Sequence, residues 1–394
     1  MTRQSPALAA ASLVGVMFIN MLGVGLVIPL LPFYAQSFDA APWQIALIFS
    51  AFPIGSFFGE PFWGRLSDRL GRRPLLISTV SGNVLCYLAL AFAPDVLSAF
   101  LIRFVGGAAS GNGAVMQGYI ADVTPPHLRA RRMSWIGAAA SLGLVVGPFV
   151  GGVFAVAHAG PAGFRIPLLI AAAFSAIALV ALILFIKEPL RSREHRPQLS
   201  RLEAFGEVTR HPVIGRLMLT TFLVGFAFTG IESVFGLWGE ARFGWGPREV
   251  GWCFAVAGAV SAVTQFFATG PLSERFGEAR VLAVGMALTV VGCVGQIWST
   301  GFAATTALMA VTALGQSISW PNVGALISRA ADPEMQGQVL GLNNACGAFA
   351  RFVGPLTAGL AFANVSINAP FAIAAAIVAP AILLALSAVE RAKR

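Results

Sequence analysis

Twelve long apolar stretches follow one another along this chain of 394 residues, separated mostly by short connections. A helix that crosses a bilayer needs roughly 20 mostly apolar residues, and each stretch reaches about that length. Because backbone hydrogen bonds in a membrane must be satisfied within the protein, these stretches predict an all-α membrane protein. The predicted segments are 8–34, 43–63, 75–94, 96–121, 132–157, 163–186, 214–238, 249–270, 279–299, 303–327, 336–363 and 367–389.

Composition also predicts a membrane protein, and the distribution of charge predicts its orientation in the membrane. Of all residues 57% are hydrophobic and only 11% are charged, too few polar residues to cover a water-soluble surface of this size. Lys and Arg lie in alternate connections together with Arg3, while the opposite connections hold only Arg165, Arg242 and Arg248. The positive-inside rule then predicts that both termini are cytoplasmic. The formal charge of +9 is spread over short loops, which excludes a nucleic-acid-binding patch.

A charged motif punctuated by glycines occurs once in each half of the chain. Gly64–Leu76 reads Gly-Arg-Leu-Ser-Asp-Arg-Leu-Gly-Arg-Arg-Pro-Leu-Leu, and Gly270–Gly277, 206 positions later, reads Gly-Pro-Leu-Ser-Glu-Arg-Phe-Gly. Gly147–Pro148 and Gly354–Pro355 repeat at nearly the same offset, 207 positions. This periodicity indicates that two copies of one membrane bundle are joined in tandem.

The duplication predicts a division into two six-helix bundles, at 1–187 and 214–394, with a cytoplasmic linker over 188–213. Asp122, after the fourth segment, loosely parallels Asp332, after the tenth. The preference for Arg over Lys and the abundance of Ala and Gly suggest a GC-rich bacterial genome. We therefore expect a multi-pass protein of the bacterial cytoplasmic (inner) membrane.

The first copy of the motif resembles the signature of the major facilitator superfamily between its second and third helices. The matching positions are Gly64, Asp68, Arg69, Gly71, Arg72 and Arg73. The resemblance implies the major facilitator fold, with 12 transmembrane helices in two pseudo-symmetric six-helix bundles and a substrate site at their interface. It also implies a cytoplasmic gate in which Arg72 pairs with Asp122 and Asp68 faces a helix N-terminus. The alternative is a positive-inside anchor without a gating role.

The second copy departs from the signature. Glu274 replaces the acid, and the pair of arginines is absent. We therefore expect a weaker gate in the second half.

The segment 132–157 contains Gly143–Gly152, which resembles the motif of facilitator antiporters that export drugs, although Ser134 stands at the position of the motif's first glycine. The proline removes a backbone hydrogen bond and the glycines allow close helix contact, so this helix is expected to bend and seal tightly. The gating residues assigned to it are Gly147, Pro148, Gly151 and Gly152. Ordinary small-residue packing is the alternative.

Ionisable residues deep in apolar spans are costly in lipid and usually face a cavity. Arg103, Ser110 and Gln117 recur at every seventh position of the segment 96–121, which predicts one polar stripe on a cavity-lining helix. The family resemblance associates an Arg at this place with proton coupling. A buried structural ion pair is the alternative reading of Arg103.

Three further ionisable residues lie in or near the spans. Glu232, in the segment 214–238, is the first candidate for the proton-coupling acid, because a carboxyl group can bind and release a proton. Glu60 is the second candidate, although it lies four residues before the first motif, where it can also snorkel or pair with an Arg. Arg351 is either a structural counter-ion to an acid or a substrate contact.

The first segment resembles the first helix of tetracycline-type and related drug:proton antiporters over Phe18–Tyr34. Those proteins commonly have Asp where this chain has Asn20. Asn has the shape of a protonated Asp but does not titrate. Either coupling uses other acids, or Asn20 is a substitution that mimics the protonated state, and it is retained as a candidate for proton coupling.

The expected substrate cavity combines aromatic faces with a few amides and charges, which suits a planar, partly polar organic molecule. For any single Phe, lipid-facing or core packing is the alternative. The candidate cavity residues are Asn20, Arg103, Ser110, Gln117, Phe228, Glu232, Phe235, Gln316, Trp320, Asn343, Asn344 and Arg351.

These observations predict a secondary active exporter of small amphipathic, drug- or tetracycline-like organic compounds, working by proton antiport and alternating access. Its expected partners are the small-molecule substrate, protons and membrane lipids, with no nucleic acid and a monomer as the working unit. The alternatives are an exporter of an endogenous metabolite or lipid-like anion, and a non-transporting sensor on the same scaffold. The sequence contains no Cys-x-x-Cys pair, His/Glu metal spacing or nucleophile constellation. No cofactor, metal or enzymatic activity is therefore expected.

Overall fold

The computed structural model describes residues 6–124, 126–188, 212–331 and 336–392. Within these ranges the chain is helical and contains no β-strand, which confirms the all-α prediction. Most of the predicted linker over 188–213 lies outside the described residues, as does Asp332.

Fifteen α-helices are described. The first eight are α1 (Pro6–Val27), α2 (Leu31–Gln36), α3 (Pro42–Leu70), α4 (Arg72–Ala91), α5 (Val96–Ala109), α6 (Asn112–Val123), α7 (Pro126–Phe154) and α8 (Arg165–Phe185). The others are α9 (Pro212–Phe243), α10 (Pro247–Val263), α11 (Thr269–Phe276), α12 (Glu278–Trp298), α13 (Phe302–Ala330), α14 (Gln336–Asn364) and α15 (Ala369–Ala392). A π-helical turn at Thr264–Ala268 joins α10 to α11. Among the described residues, 11 helical segments are long and apolar enough to cross a membrane.

The remaining predicted segment, 96–121, is not one continuous helix. It divides into α5 and α6 because Ser110 adopts an extended conformation with ψ of 132° and Gly111 has φ of −157°. The indole N–H of Trp63 donates a 2.8 Å hydrogen bond to the carbonyl of Ala108 at the break. Irregular backbone at membrane depth requires such partners from neighbouring helices.

The described helices fall into two compact units. The first holds α1–α8 and residues 247–255 of α10, and the second holds α9, the remainder of α10 and α11–α15. In the first unit, α1 packs against α7 and α8, α3 against α5, and α4 against α8. Its core is aliphatic around the buried ring of Tyr119.

In the second unit, α9 packs against α14 and α15, and α12 against α13 and α15. The fully buried Trp238 of α9 meets the ring of Phe371 of α15 at a centroid distance of 5.0 Å. Each unit therefore has its own hydrophobic core.

Candidate transport and gating sites

The first copy of the charged motif is helical except at one glycine. α3 continues to Leu70 and α4 begins at Arg72, so Gly71 alone connects the two helices. Gly71 has φ of 119°, a conformation that strains any residue with a side chain. The motif thus places Gly64, Asp68 and Arg69 in α3, and Arg72 and Arg73 in α4. The predicted segment boundaries, at residues 63 and 75, are corrected to 70 and 72.

Arg72 is the centre of a polar cluster at this turn. Its Nη1 lies 2.7 Å from Oδ1 of Asp68 and donates a 2.6 Å hydrogen bond to Oγ of Ser67. Its Nε donates to Oδ2 of Asp122 on α6 at 2.9 Å, so the expected pair forms. Gly118 on α6 makes room for the guanidinium, because a Cβ there would lie 2.6 Å from Cζ of Arg72.

The carboxylate of Glu188, three residues beyond α8, binds the start of α4. Its two oxygens accept the backbone N–H groups of Arg72 and Arg73 at 2.7 and 2.9 Å. The guanidinium of Arg73 also donates to the carbonyl of Ile183 on α8 at 2.9 Å. A carboxylate at a helix N-terminus is favoured because it satisfies backbone donors that lack a partner within the helix.

The second copy repeats the backbone of the first with different charges. Gly277, with φ of 81°, alone separates α11 from α12. Glu274 is exposed and forms no ion pair within the part of the chain that the structure describes. Glu278, the first residue of α12, instead pairs with Arg329 near the end of α13, with two contacts of 2.6 and 2.8 Å.

The glycine motif of α7 lies against α1. A Cβ on Gly147 would come within 2.5 Å of the backbone N of Leu26, and a Cβ on Gly151 within 2.5 Å of its carbonyl oxygen. Gly152 faces the first turns of α10, which cluster with the same unit. Pro148 lies within α7, which continues through it to Phe154. The motif therefore allows two helix backbones to approach closely.

Arg103 on α5 is buried. Its guanidinium lies over the ring of Phe52 at 4.9 Å from the centroid, and its Nε donates no hydrogen bond to a described residue. The predicted stripe is corrected here, because Ser110 is not helical and the seven-residue spacing no longer aligns α5 with α6. Arg103 and Ser110 are buried whereas Gln117 is exposed.

Asn20 on α1 is completely buried within the first unit. Its Oδ1 accepts a 3.1 Å hydrogen bond from Nδ2 of Asn83 on α4. Its own Nδ2 finds no acceptor among the described residues, and the buried hydroxyl of Ser175 on α8 likewise has no hydrogen-bond partner there. This set of buried polar groups spans three helices.

Glu232 on α9 interacts electrostatically with Arg351 on α14. Both residues are only partly buried and lie in the middle of membrane-spanning segments. Glu60, the second candidate acid, lies in the second half of α3 and is also partly buried. The second unit thus holds an acid and a base at membrane depth that are close enough to influence each other electrostatically.

Two of the predicted aromatic cavity residues differ in exposure. Trp320 on α13 is 36% exposed, and its ring lies next to Gly225 of α9 and Gly347 of α14. Phe235 is fully buried with its centroid 5.9 Å from that of Trp238. Phe235 is therefore part of the hydrophobic core, which corrects its assignment to an open cavity.

The remaining predicted cavity residues lie on α9, α13 and α14. Phe228 is partly buried and Asn344 is exposed. Gln316 and Asn343 each carry a buried side-chain oxygen that accepts no hydrogen bond from the described residues. Buried amides with unused acceptors are suited to binding a polar ligand.

Several residues in these sites were not found from the sequence. Glu188 had a signal, as an acid among the basic residues that follow the sixth segment. Asn83 is an amide within an apolar segment, which is also a usable signal. Gly118 and Trp63 had none, because their roles depend on contacts with residues distant in the sequence.

Comparison with known proteins places the chain in a family of transporters. It matches the model of the Major Facilitator Superfamily over residues 13–246 and 217–394. It is 30% identical to the class C tetracycline resistance protein of Escherichia coli over 353 residues, 87% of each chain. It is 26% identical to the quinolone resistance protein NorA of Staphylococcus aureus over 357 residues, 90% of this chain and 89% of that protein.

A solved structure shows the same fold. The human organic anion transporter MFSD10 (TETRAN) matches with a TM-score of 0.74 at 23% identity, covering 97% of this chain and 100% of the other. The family model and this match confirm the major facilitator fold, and 11 of the 12 predicted membrane-spanning segments are continuous helices among the described residues.

Proposed function

Because this chain belongs to the Major Facilitator Superfamily, we propose that it exports small amphipathic organic compounds in exchange for protons by alternating access. It is a multi-pass membrane transporter, and its relatives are transporters rather than enzymes. The names of the tetracycline and quinolone resistance proteins support a drug-like substrate. We place it in the bacterial cytoplasmic membrane as a monomer with both termini in the cytoplasm.

The interaction between Glu232 and Arg351 carries the proposal. A carboxyl group at membrane depth is costly to keep unless it has a function. Beside Arg351 it has two protonation states, a carboxylate that attracts the guanidinium and a neutral acid that does not, so proton binding changes the local charge by one. Such a change, coupled to a shift between two conformations, is what proton antiport requires.

The aromatic and amide groups of the second unit supply a binding surface for the exported compound. Trp320 offers a partly exposed ring face, and Gln316 and Asn343 offer unused acceptors. Stacking on the ring and hydrogen bonding to the amides together select a planar molecule with a few polar groups.

Uptake of tetracycline or a fluorescent drug into everted membrane vesicles tests the proposal. The wild-type chain should accumulate the drug when the vesicle interior is made acidic, and Glu232→Gln should lose this dependence on the pH gradient. Glu240→Gln is the matched control, because Glu240 lies about two turns further along α9. Uptake that is equally gradient-driven in Glu232→Gln would contradict the role of Glu232. Uptake by the wild type that never responds to the gradient would contradict proton coupling.

A second candidate function rests on Arg103. No carboxylate among the described residues forms an ion pair with it, and a buried charge without a counter-ion is costly. An organic anion would supply that counter-ion, which makes this chain an exporter of anionic metabolites. Inhibition of drug uptake by organic anions, and not by cations of similar size, would favour this function.

A further inference from the structure

Each unit has an ion pair at the turn formed by its copy of the motif, and the positive and negative residues of the pair are exchanged between the units. Arg72 is the first residue of α4 and directly follows Gly71, and Glu278 is the first residue of α12 and directly follows Gly277. These positions are 206 residues apart, which is the offset of the repeated motif. A cation in the first unit therefore stands where an anion stands in the second.

The partners of these residues are inverted in the same way. Asp122 is the second-last residue of α6, and Arg329 is the second-last residue of α13. Their separation of 207 residues equals the offset of the Gly-Pro repeat. The pairs Arg72–Asp122 and Glu278–Arg329 thus join equivalent helix ends, with the charges exchanged.

We infer that Glu278 and Arg329 form a second gating pair. This pair takes the gating role of the motif in the second unit, where the two arginines of the motif are absent. The contact is two-pronged, since Nη2 and Nη1 of Arg329 lie 2.6 and 2.8 Å from the two carboxylate oxygens of Glu278. Bidentate pairs of this kind are stronger and more directional than single contacts.

Helix dipoles explain why the Glu278–Arg329 pair needs no additional carboxylate of the kind that Glu188 supplies in the first unit. The N-terminus of a helix favours an anion and its C-terminus a cation. Glu278 and Arg329 satisfy both preferences, whereas Arg72 and Asp122 oppose both. In the first unit the carboxylate of Glu188 supplies the missing negative charge at the start of α4.

The exchange of charges also explains why Glu274 forms no ion pair with a described residue. This residue is four positions before Glu278, as Asp68 is four positions before Arg72. Asp68 pairs with the cation on the next helix, but Glu274 meets an anion there and would repel it. The second gate therefore consists of one ion pair, while the first consists of one arginine held by two acids.

Exposure predicts the relative strength of the two gates. The side chain of Arg329 is 71% exposed, whereas that of Arg72 is 13% exposed. Exposed pairs are weakened by solvent and salt. The second gate should therefore be weaker and should lose its effect at high ionic strength.

The inference rests on the proposed alternating-access function, so its test measures conformation as well as transport. The variants are Glu278→Arg, Arg329→Glu and the double exchange, with Arg280→Glu as a charge-reversal control on the same helix. Drug uptake is measured for each. Opening is followed by the rate at which an impermeant maleimide labels Gln117→Cys in everted vesicles. Gln117 is exposed and is one of the predicted cavity residues. The four native cysteines are replaced by serine.

Each single change should lower uptake and raise the labelling rate by about threefold, the size expected for an exposed ion pair. The double exchange should recover at least about half of each loss, and Arg280→Glu should change neither readout. Recovery will be incomplete because the exchanged charges oppose the helix dipoles.

The inference is overturned if the double exchange is no better than the single changes, or if the single changes lower only the melting temperature and leave the labelling rate unchanged. A wild-type chain without gradient-driven uptake would reject the proposed function, while the labelling rates would still decide whether the pair controls opening.

Discussion

Glu188 and Arg72 are 116 positions apart in the sequence, yet the carboxylate of Glu188 accepts the backbone N–H of Arg72 at 2.7 Å. The same carboxylate leaves little room at Gly71, where a Cβ would lie 3.0 Å from both of its oxygens. The chain that leaves α8 is therefore fixed to the turn between α3 and α4. Movement of this turn has to move the start of the linker with it.

Replacing Glu188 by Ala should lower the stability of the folded protein. The change removes two hydrogen bonds to the first turn of α4 and a favourable charge at its N-terminus, with a cost of about 0.5–2 kcal/mol. We expect the apparent melting temperature in detergent to fall by about 1–4 °C. Glu274→Ala is the control, since Glu274 is exposed at the equivalent turn of the second unit. Equal shifts in the two variants would contradict this role of Glu188.

The two copies of the motif should respond differently to loss of their acid. Asp68→Asn removes the 2.7 Å contact with Arg72, whereas Glu274→Gln removes no ion pair within the described residues. We expect Asp68→Asn to reduce drug uptake about fivefold or more, the lower end of typical coupling between sites. Glu274→Gln should remain within about twofold of the wild type. A similar loss in both variants would mean that the first copy is not the stronger gate.

The parts of the structure that were predictable from the sequence depend on local patterns. Apolar length located the helices, and the charged motif identified the pair between Arg72 and Asp122. Long-range contacts were not predictable in this way. The break at Ser110 is stabilised by Trp63, which is 45 positions from its acceptor at Ala108, and no local pattern identifies that contact.

Long-range packing in the second unit was likewise not predictable from local patterns. The sequence predicts a cavity position for Phe235, but packing against Trp238 buries it completely. The parallel between Asp122 and Asp332 was based on sequence likeness alone. Asp332 lies outside the described residues, and among those described Arg329 has the same place at the end of α13 as Asp122 has at the end of α6.

Gly147→Ala should separate α1 from α7. The added methyl group would lie 2.5 Å from the backbone N of Leu26 and 2.6 Å from the carbonyl carbon of Gly25. Backbone atoms cannot rotate away as side chains can, so we expect a loss of about 1–3 kcal/mol. The measurement is thermal unfolding in detergent, together with drug uptake.

Gly137→Ala is the matched control for this change, because Gly137 lies on the same helix and nothing is within 4 Å of its added methyl group. It should be neutral or raise stability by up to about 1 kcal/mol through helix propensity. If both variants behaved like the wild type, close contact between α1 and α7 would not be required for folding.

Asn20→Asp should make transport more dependent on the pH gradient. An aspartate at this position keeps an acceptor for Nδ2 of Asn83, now at 3.1 Å from Oδ1 of Asn20. It also replaces an Nδ2 group that has no acceptor among the described residues, so the fold should tolerate it. Because Asp titrates and Asn does not, the substitution gives the transporter a second proton-binding residue besides Glu232.

We expect everted vesicles with Asn20→Asp to show at least about a twofold larger ratio of uptake with and without an inward-acid gradient, since coupling of about 0.4 kcal/mol already gives a factor of two. Asn20→Leu is the control, because it fills the same space without an acceptor or a titrating group. It should lower stability by about 1–3 kcal/mol by leaving Asn83 unpaired and should not raise the ratio. If neither the wild type nor Asn20→Asp responds to the gradient, the transporter is not driven by protons.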